Sequence, residues 1–209
     1  MKLQVAFDTL DLEQSLDIAQ QISEYVDILE VGTLLIYKYG SKAIEEFRKE
    51  FKQKKLLADS KIVDRGKNAA TLFLNADVDW ITVMAGTGRS VIHDVCATAH
   101  SFGKKAMLDL LDSPALGQSA MEAQSLGIDA LLFHEPHDEK DPTTLLDKWD
   151  LVRGNSELPI HISAPMDREN IHEFLRLKPE VIVIGSAIVK AKDPAEEAKY
   201  FADLIKQSS

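Results

Sequence analysis

Residues 181–198 read Val-Ile-Val-Ile-Gly-Ser-Ala-Ile-Val-Lys-Ala-Lys-Asp-Pro-Ala-Glu-Glu-Ala. The opening run of β-branched residues, closed by Gly185, is too short for a helix and lacks polar alternation. A strand covered on both faces reads this way. Asp193-Pro194, with Glu196 following, then signals a helix start: a capping side chain, a proline at the first helical position and a capping-box acid. Ala195, Ala198, Phe201, Ala202 and Ile205 carry that helix onward with one apolar face. The stretch is one strand–turn–helix unit.

The unit recurs through the chain. Apolar runs stand at Leu3–Phe7, Ile28–Val31, Lys55–Ala58, Trp80–Met84, Lys105–Leu110, Ala130–Phe133, Pro159–Ser163 and Val181–Ile184, about every 25 residues. Between them Leu12, Leu16, Ile18, Ala19, Ile22 and Tyr25 make one helical stripe, and Ile44, Phe47 and Phe51 another. Ser113-Pro114 marks a further helix start. Eight strands alternating with helices in 209 residues, without a linker or composition break, predict an α/β fold: a (β/α)₈ TIM barrel forming a single domain over residues 1–209. The rival is an open doubly wound sheet, which requires demoting one or two runs.

Twenty-four basic against 34 acidic residues leave a net charge of −10, which argues against nucleic acid or an anionic membrane as main partner. No apolar run approaches the roughly 18 residues of a membrane span. The N-terminal MKLQVAFDTLD has no apolar h-region, so no signal peptide is expected, and the lone Cys96 has no partner for an internal disulfide. The expectation is a soluble, cytoplasmic protein.

In a barrel, chemistry sits at the C-terminal ends of the strands. Read in order, those ends carry Asp8, Glu30, Asp59 with Lys61 and Asp64 beyond it, Asp109, His134, Ser163 and Gly185-Ser186. Carboxylates crowded at one mouth raise each other's pKa unless cations offset the repulsion. All-oxygen ligands point to Mg²⁺, held by a carboxylate pair with the remaining positions left to water and substrate. Asp59 and Lys61 are two apart, so in extended backbone both face the same way. A lysine kept charged by acids can stabilise a developing enolate oxygen. Each residue also has a plainer reading. Asp8 alone suits a helix cap, His134 a structural histidine, and Gly185 a turn glycine; the set including Glu30 and Lys61 does not suit caps, because Glu is a poor one. Small residues after the eighth strand suit an anion, and phosphate sites of barrels lie after strands seven and eight.

These residues resemble the orotidine 5′-phosphate decarboxylase superfamily, whose mark is Asp-x-Lys-x-x-Asp after strand three, here Asp59-Ser60-Lys61-Ile62-Val63-Asp64. Glu30 in LEVGT, where the orotidine enzymes have lysine, resembles the Mg²⁺-dependent branch that contains 3-hexulose-6-phosphate synthase and 3-keto-L-gulonate-6-phosphate decarboxylase. AFDTLD, LLADSKIVD, DWITV, GKKAMLDL and VIVIGSAI carry the likeness along the whole chain. The resemblance implies that Glu30 and Asp59 hold Mg²⁺, and that Asp8, Lys61 and Asp64 form a charged network around an enediolate. It implies an acid/base or water-orienting role for His134, and a ketose phosphate as substrate. It also implies a homodimer with shared active sites, Asp64 serving the neighbouring subunit. Decarboxylases of the branch carry Glu on strand five, Thr closing strand seven and Arg after the strand-eight glycine. Asp109, Ser163 and Ser186 stand there instead and favour the synthase, an aldol addition of formaldehyde to D-ribulose 5-phosphate.

Three positions depart from the pattern: Ala164-Pro165 replaces Gly-Gly, His134-Glu135-Pro136-His137 replaces His-Thr-Gly, and Leu34 replaces proline. Pro165 has no amide to offer a phosphate. The departures leave the decarboxylase open, and also a sugar-phosphate-binding paralogue without catalysis; an isomerase or epimerase would make the Asp-x-Lys-x-x-Asp set a coincidence.

Overall fold

The computed structural model describes residues 1–135 and 146–208. Eight parallel strands close in chain order into a barrel. They are β1 (Lys2–Phe7), β2 (Ile28–Val31), β3 (Lys55–Ile62), β4 (Trp80–Met84), β5 (Lys105–Asp109), β6 (Ala130–His134), β7 (Ile160–Ser163) and β8 (Val181–Ile184). Closure is made by Lys2–Val5 of β1 in register with Val181–Ile184 of β8. The open-sheet alternative falls with that pairing. Helices among the described residues are α1 (Leu12–Ile22), α2 (Thr33–Tyr39), α3 (Ser41–Glu50), α4 (Gly66–Leu74), α5 (Arg89–Ser101), α6 (Leu116–Ala123), α7 (Trp149–Arg153), α8 (Ile171–Arg176), α9 (Ser186–Val189) and α10 (Pro194–Gln207). None is long and apolar enough to cross a membrane.

The continuous apolar runs have two destinations. Leu3, Val5, Phe7, Leu29, Val31, Ile182 and Ile184 point outward into the layer shared with the helices. Ala6, Ile28, Leu57, Met107, Ala130, Leu132, Val181 and Val183 fill the barrel interior, with Trp80 packed against them. Neither face meets water, so neither needs polar residues.

Two helix starts differ from expectation. Asp11, not Asp8, caps α1 by accepting the Gln14 amide at 3.0 Å, which leaves Asp8 available to the barrel mouth. Helix α6 begins at Leu116, beyond Ser113-Pro114. The Ser113 hydroxyl instead sits 2.8 Å from that of Ser119 and accepts the Ala115 amide at 3.3 Å, forming a turn before the helix. Asp193 does cap α10, taking the Glu196 amide at 3.0 Å behind Pro194.

The opposite end of the barrel has a repeated device that sequence reading passed over. Asp27, Asp79, Asp129 and Glu180 each stand just before an even-numbered strand. Each accepts an early amide of the odd strand before it: Leu3, Leu56 and Ala106 at 2.9 Å, and Ile160 at 2.7 Å. Strand starts that would leave donors facing the barrel floor are thereby satisfied. Asp79 does most, since it also meets three cations: the Arg48 guanidinium at 2.7 Å, Lys55 at 3.4 Å and Lys104 at 3.6 Å. Burial opposes its ionisation, but the Leu56 amide and the Arg48 and Lys104 charges outweigh that and hold its pKa below the ordinary value.

Asp79→Ala is expected to lower stability at pH 7 by about 1–3 kcal/mol in urea unfolding, the cost of orphaning buried donors. A depressed folded-state pKa stabilises above the unfolded value and loses that contribution as pH falls through the folded one. The gap between parent and variant should therefore narrow below about pH 4.

Candidate active site

The site begins with a defect in a strand. β3 pairs with β4 through Ala58 and Ile81, and next through Ile62 and Val83, so Asp59, Ser60 and Lys61 face Thr82 alone. Two extra residues form a bulge, and side chains replace the missing ladder bonds. Ser60 Oγ donates to the Thr82 carbonyl at 2.8 Å and accepts the Thr82 amide at 3.1 Å. Thr82 Oγ1 accepts the Lys61 amide and donates to Asp59 Oδ1, both at 2.9 Å. Lys61 is left-handed, with φ of 42°, a conformation that costs a side-chain-bearing residue about 1–2 kcal/mol. The expectation of extended backbone through Asp59-Ser60-Lys61 is thus corrected. The two charged side chains do meet, because a bulge aims them.

Lys61 Nζ lies 2.7 Å from Asp109 Oδ2 and 3.1 Å from Asp59 Oδ2. Burial alone would drive the ammonium toward neutrality, but those carboxylates raise its pKa above the ordinary lysine value. Asp109, fully buried, also receives the Leu111 amide at 3.0 Å and sits 3.2 Å from His134 Nδ1. Burial is again the largest opposing effect, and His134 and Lys61 overcome it to hold Asp109 ionised. One carboxylate thus orients both a cation and an imidazole, and the His134 nitrogen turned from Asp109 is Nε2.

Across the mouth, Glu30 of β2 is buried and its pKa is raised well above the ordinary value, first by burial, then by Asp59 and Asp8. Gln4 Nε2 donates to Glu30 Oε2 at 2.5 Å. Asp8 reaches this corner because residue 32 is glycine: a Cβ there would lie 2.5 Å from Asp8 Oδ1 and 2.6 Å from the Phe7 carbonyl. Thr33 Oγ1 sits 2.6 Å from Asp59 Oδ2, tying α2 to the end of β3. Two buried carboxylates at one corner, with Asp8 adding repulsion, make a hard, anionic oxygen donor set. Such a set fits a divalent cation of the Mg²⁺ kind, which takes one or two carboxylates and keeps waters. Among the described residues no group of three His, Cys, Asp or Glu side chains is arranged to hold a metal ion, so the protein would supply at most this carboxylate pair.

A cavity of about 420 Å³ opens at this mouth. Of the expected residues, Asp8, Asp59, Lys61, His134, Ser163, Gly185 and Ser186 line it. Glu30 and Asp109 lie buried beside its wall, reached through Asp59, Lys61 and His134. Asp64 does not join it: the residue is exposed beyond β3, accepting the Arg65 amide at 2.7 Å. Ala164, Pro165 and Met166 form an apolar part of the rim, and Lys190, following α9, lines the same side. Glu135 is buried and its amide donates to the Ser163 carbonyl at 2.8 Å, while Pro136 and His137 lie outside the described residues. Sequence reading missed Gln4, Thr33, Thr82 and Lys190. Thr82 in DWITV carried a signal, being a polar residue amid an apolar run.

The sequence profile of the orotidine 5′-phosphate decarboxylase / HUMPS family matches residues 1–201, and the chain belongs to that family. It is 26% identical over 209 residues to 3-hexulose-6-phosphate synthase of Bacillus subtilis strain 168, covering 99% of this chain and 100% of the relative. The crystal structure of 3-hexulose-6-phosphate synthase from Salmonella typhimurium superposes with a TM-score of 0.92 at 28% identity, each chain covered in full (100%). That of 3-keto-L-gulonate-6-phosphate decarboxylase from Vibrio cholerae gives 0.85 at 26% identity, over 100% of this chain and 98% of the other.

Thr82→Val keeps the shape of the side chain and removes its hydroxyl, stranding the Lys61 amide and one Asp59 oxygen. Thermal or urea unfolding should show a loss of about 1–3 kcal/mol. Thr82→Ser, which keeps the hydroxyl, should stay closer to the parent.

Proposed function

We propose that this carbon–carbon lyase is a Mg²⁺-dependent aldolase that joins formaldehyde to C1 of D-ribulose 5-phosphate through an enediolate. The observation that carries the reading is the Asp59–Lys61–Asp109–His134 chain facing one cavity. A charged lysine fixed by two carboxylates beside an oriented imidazole suits the removal of a proton next to a ketone. Relatives named 3-hexulose-6-phosphate synthase and the small Ser163 and Ser186 support the synthase above the decarboxylase.

In this reading Glu30 and Asp59 hold the Mg²⁺, which when bound supplies Lewis-acid stabilisation of negative charge on the ketose oxygens. His134 Nε2 accepts the C1 proton, while Lys61 Nζ donates a charge-assisted hydrogen bond to the enediolate oxygen. C1 then bonds to the formaldehyde carbon, the carbonyl π bond opens onto oxygen, and that oxygen takes up the proton. Asp109 keeps the imidazole turned and the lysine charged throughout. The phosphate lies against Ser163, Gly185 and Ser186, where Lys190 has no ion-pair partner among the described residues.

The reading includes a homodimer. Leu10, Leu34, Tyr37 and Val63 are exposed on neighbouring segments at the mouth end, an apolar surface suited to a second copy. Asp64 lies next to Val63 and would complete the partner's site.

In D₂O the protein should exchange the C1 proton of D-ribulose 5-phosphate only when Mg²⁺ is present, and Lys61→Ala should slow exchange at least about 100-fold. Exchange without metal, or undiminished by that substitution, contradicts the mechanism; release of CO₂ from 3-keto-L-gulonate 6-phosphate as the faster reaction selects the decarboxylase. Binding of the sugar phosphate without exchange selects the non-catalytic paralogue. Lys190→Ala should raise KM about tenfold and leave kcat near the parent's, the pattern of lost uniform binding. Co-expressed Asp64→Ala and Lys61→Ala chains should regain activity that neither has alone, since a mixed dimer contains one intact site.

A further inference from the structure

Inside the barrel, below the mouth, a polar chain runs through an otherwise apolar core. Gln4 of β1 is 0% exposed, His161 of β7 3% and Glu30 of β2 4%. His161 Nδ1 lies 2.9 Å from Gln4 Oε1, and Gln4 Nε2 lies 2.5 Å from Glu30 Oε2. Their surroundings are Ala6, Ile28, Leu57, Ala130 and Val181, where hydrocarbon side chains would pack without needing partners.

We propose that Gln4 and His161 are positioning residues that set the orientation of the Glu30 carboxylate for the divalent cation. Hydrogen-bond sense orders the three side chains. In its ionised form, the one that ligates a cation, Glu30 only accepts, so the amide presents its NH₂ to Glu30 and therefore its C=O to His161. An acceptor at Oε1 demands a donor, which fixes the His161 proton on Nδ1. Turned over, the amide would face a carboxylate oxygen with its own oxygen and the Nδ1–H with its own N–H. His161 thus locks the amide, and the amide locks the rotation of Glu30. Burial, and secondarily the Lys2 charge, push the His161 pKa down to about 3, so the ring stays neutral and the lock does not loosen at ordinary pH. The Trp80 ring packs beside the imidazole, 5.9 Å away between centroids and tilted by 54°. Such outer partners commonly change metal affinity 10- to 100-fold.

The inference rests on the reading of Glu30 as a metal ligand, and the experiment separates the two. Mn²⁺ serves as the probe, its dissociation constant measured by calorimetry and by electron paramagnetic resonance on the full chain. Gln4→Leu should weaken Mn²⁺ binding about 10-fold or more. His161→Phe should weaken it several-fold, and His161→Asn, whose amide N–H can occupy the place of Nδ1–H, should restore it. Folded variants with lower Tm and unchanged Mn²⁺ affinity overturn the proposal and leave the metal reading standing; a parent protein that binds no Mn²⁺ overturns both. Should the variants not fold, ¹⁵N spectra of the parent decide. The proposal requires a neutral His161 protonated at Nδ1 whose resonance moves as Mg²⁺ is added; protonation at Nε2, or no response, overturns it.

Discussion

A single ammonium holds the mouth of this barrel together. Lys61 lies within ion-pair distance of Asp59 and Asp109, two carboxylates buried where neither would be stable alone. Everything around it serves to keep that contact. The bulge in β3 aims residue 61 at Asp59 and Asp109, Thr82 replaces ladder bonds the bulge removes, and Thr33 ties α2 to Asp59. Because Asp109 also takes the His134 ring, moving the lysine would alter the imidazole as well. A left-handed Lys61 is the conformational cost of that arrangement, and it persists because hydrogen bonds on both sides fix it.

The acids at the two ends of the barrel obey opposite rules. At the floor, Asp27, Asp79, Asp129 and Glu180 are spread around the ring, each with a backbone amide to itself. At the mouth, Asp8, Glu30 and Asp59 are close enough for their charges to raise the Glu30 pKa. Spread acids stabilise strand ends; converging acids destabilise one another until a cation joins them. The same excess of acidic residues therefore contributes to the fold at one end and to a candidate metal corner at the other.

This division explains what could be read from the chain. Strand positions were legible because burial on both faces leaves a continuous apolar run, and Val181–Ile184 falls where the run placed it. Asp59 and Lys61 were legible because helix capping does not call for a lysine beside acids at a strand end, and because they stand in the Asp-x-Lys-x-x-Asp motif. The bulge was not, since a strand with two extra residues has the same composition as one without, and its partner Thr82 lies 21 residues beyond Lys61. The Gln4–His161 contact spans 157 residues, and only barrel closure brings β1 and β7 near each other. Asp8 was ambiguous as cap or site residue because Asp11, three positions on, is equally suited to capping. Asp64 is ambiguous for another reason: one chain gives it solvent, not a site.

The cavity is chemically lopsided, and that bears on how a substrate must enter. Asp8, Asp59 and Lys61 gather on one side with the His134 imidazole beside them, whereas Ser163, Ala164, Pro165, Gly185 and Ser186 on the other bring no charge. A ketose phosphate placed with its anion toward Asp8 and Asp59 would meet like charge, so electrostatics turns the anion to the β7–β8 side. Pro165 removes one amide that could have received it there, and Lys190 is the nearby group able to offset that loss with charge. An amide fixes an oxygen by direction, while an ammonium on a flexible stem attracts it with little directional demand. On the proposed reading, the reacting end of the substrate is held rigidly by the bulge, Asp109 and the cation, and its phosphate loosely. Selectivity then rests more on the hydroxyls next to the ketone than on the length of the chain that carries the phosphate.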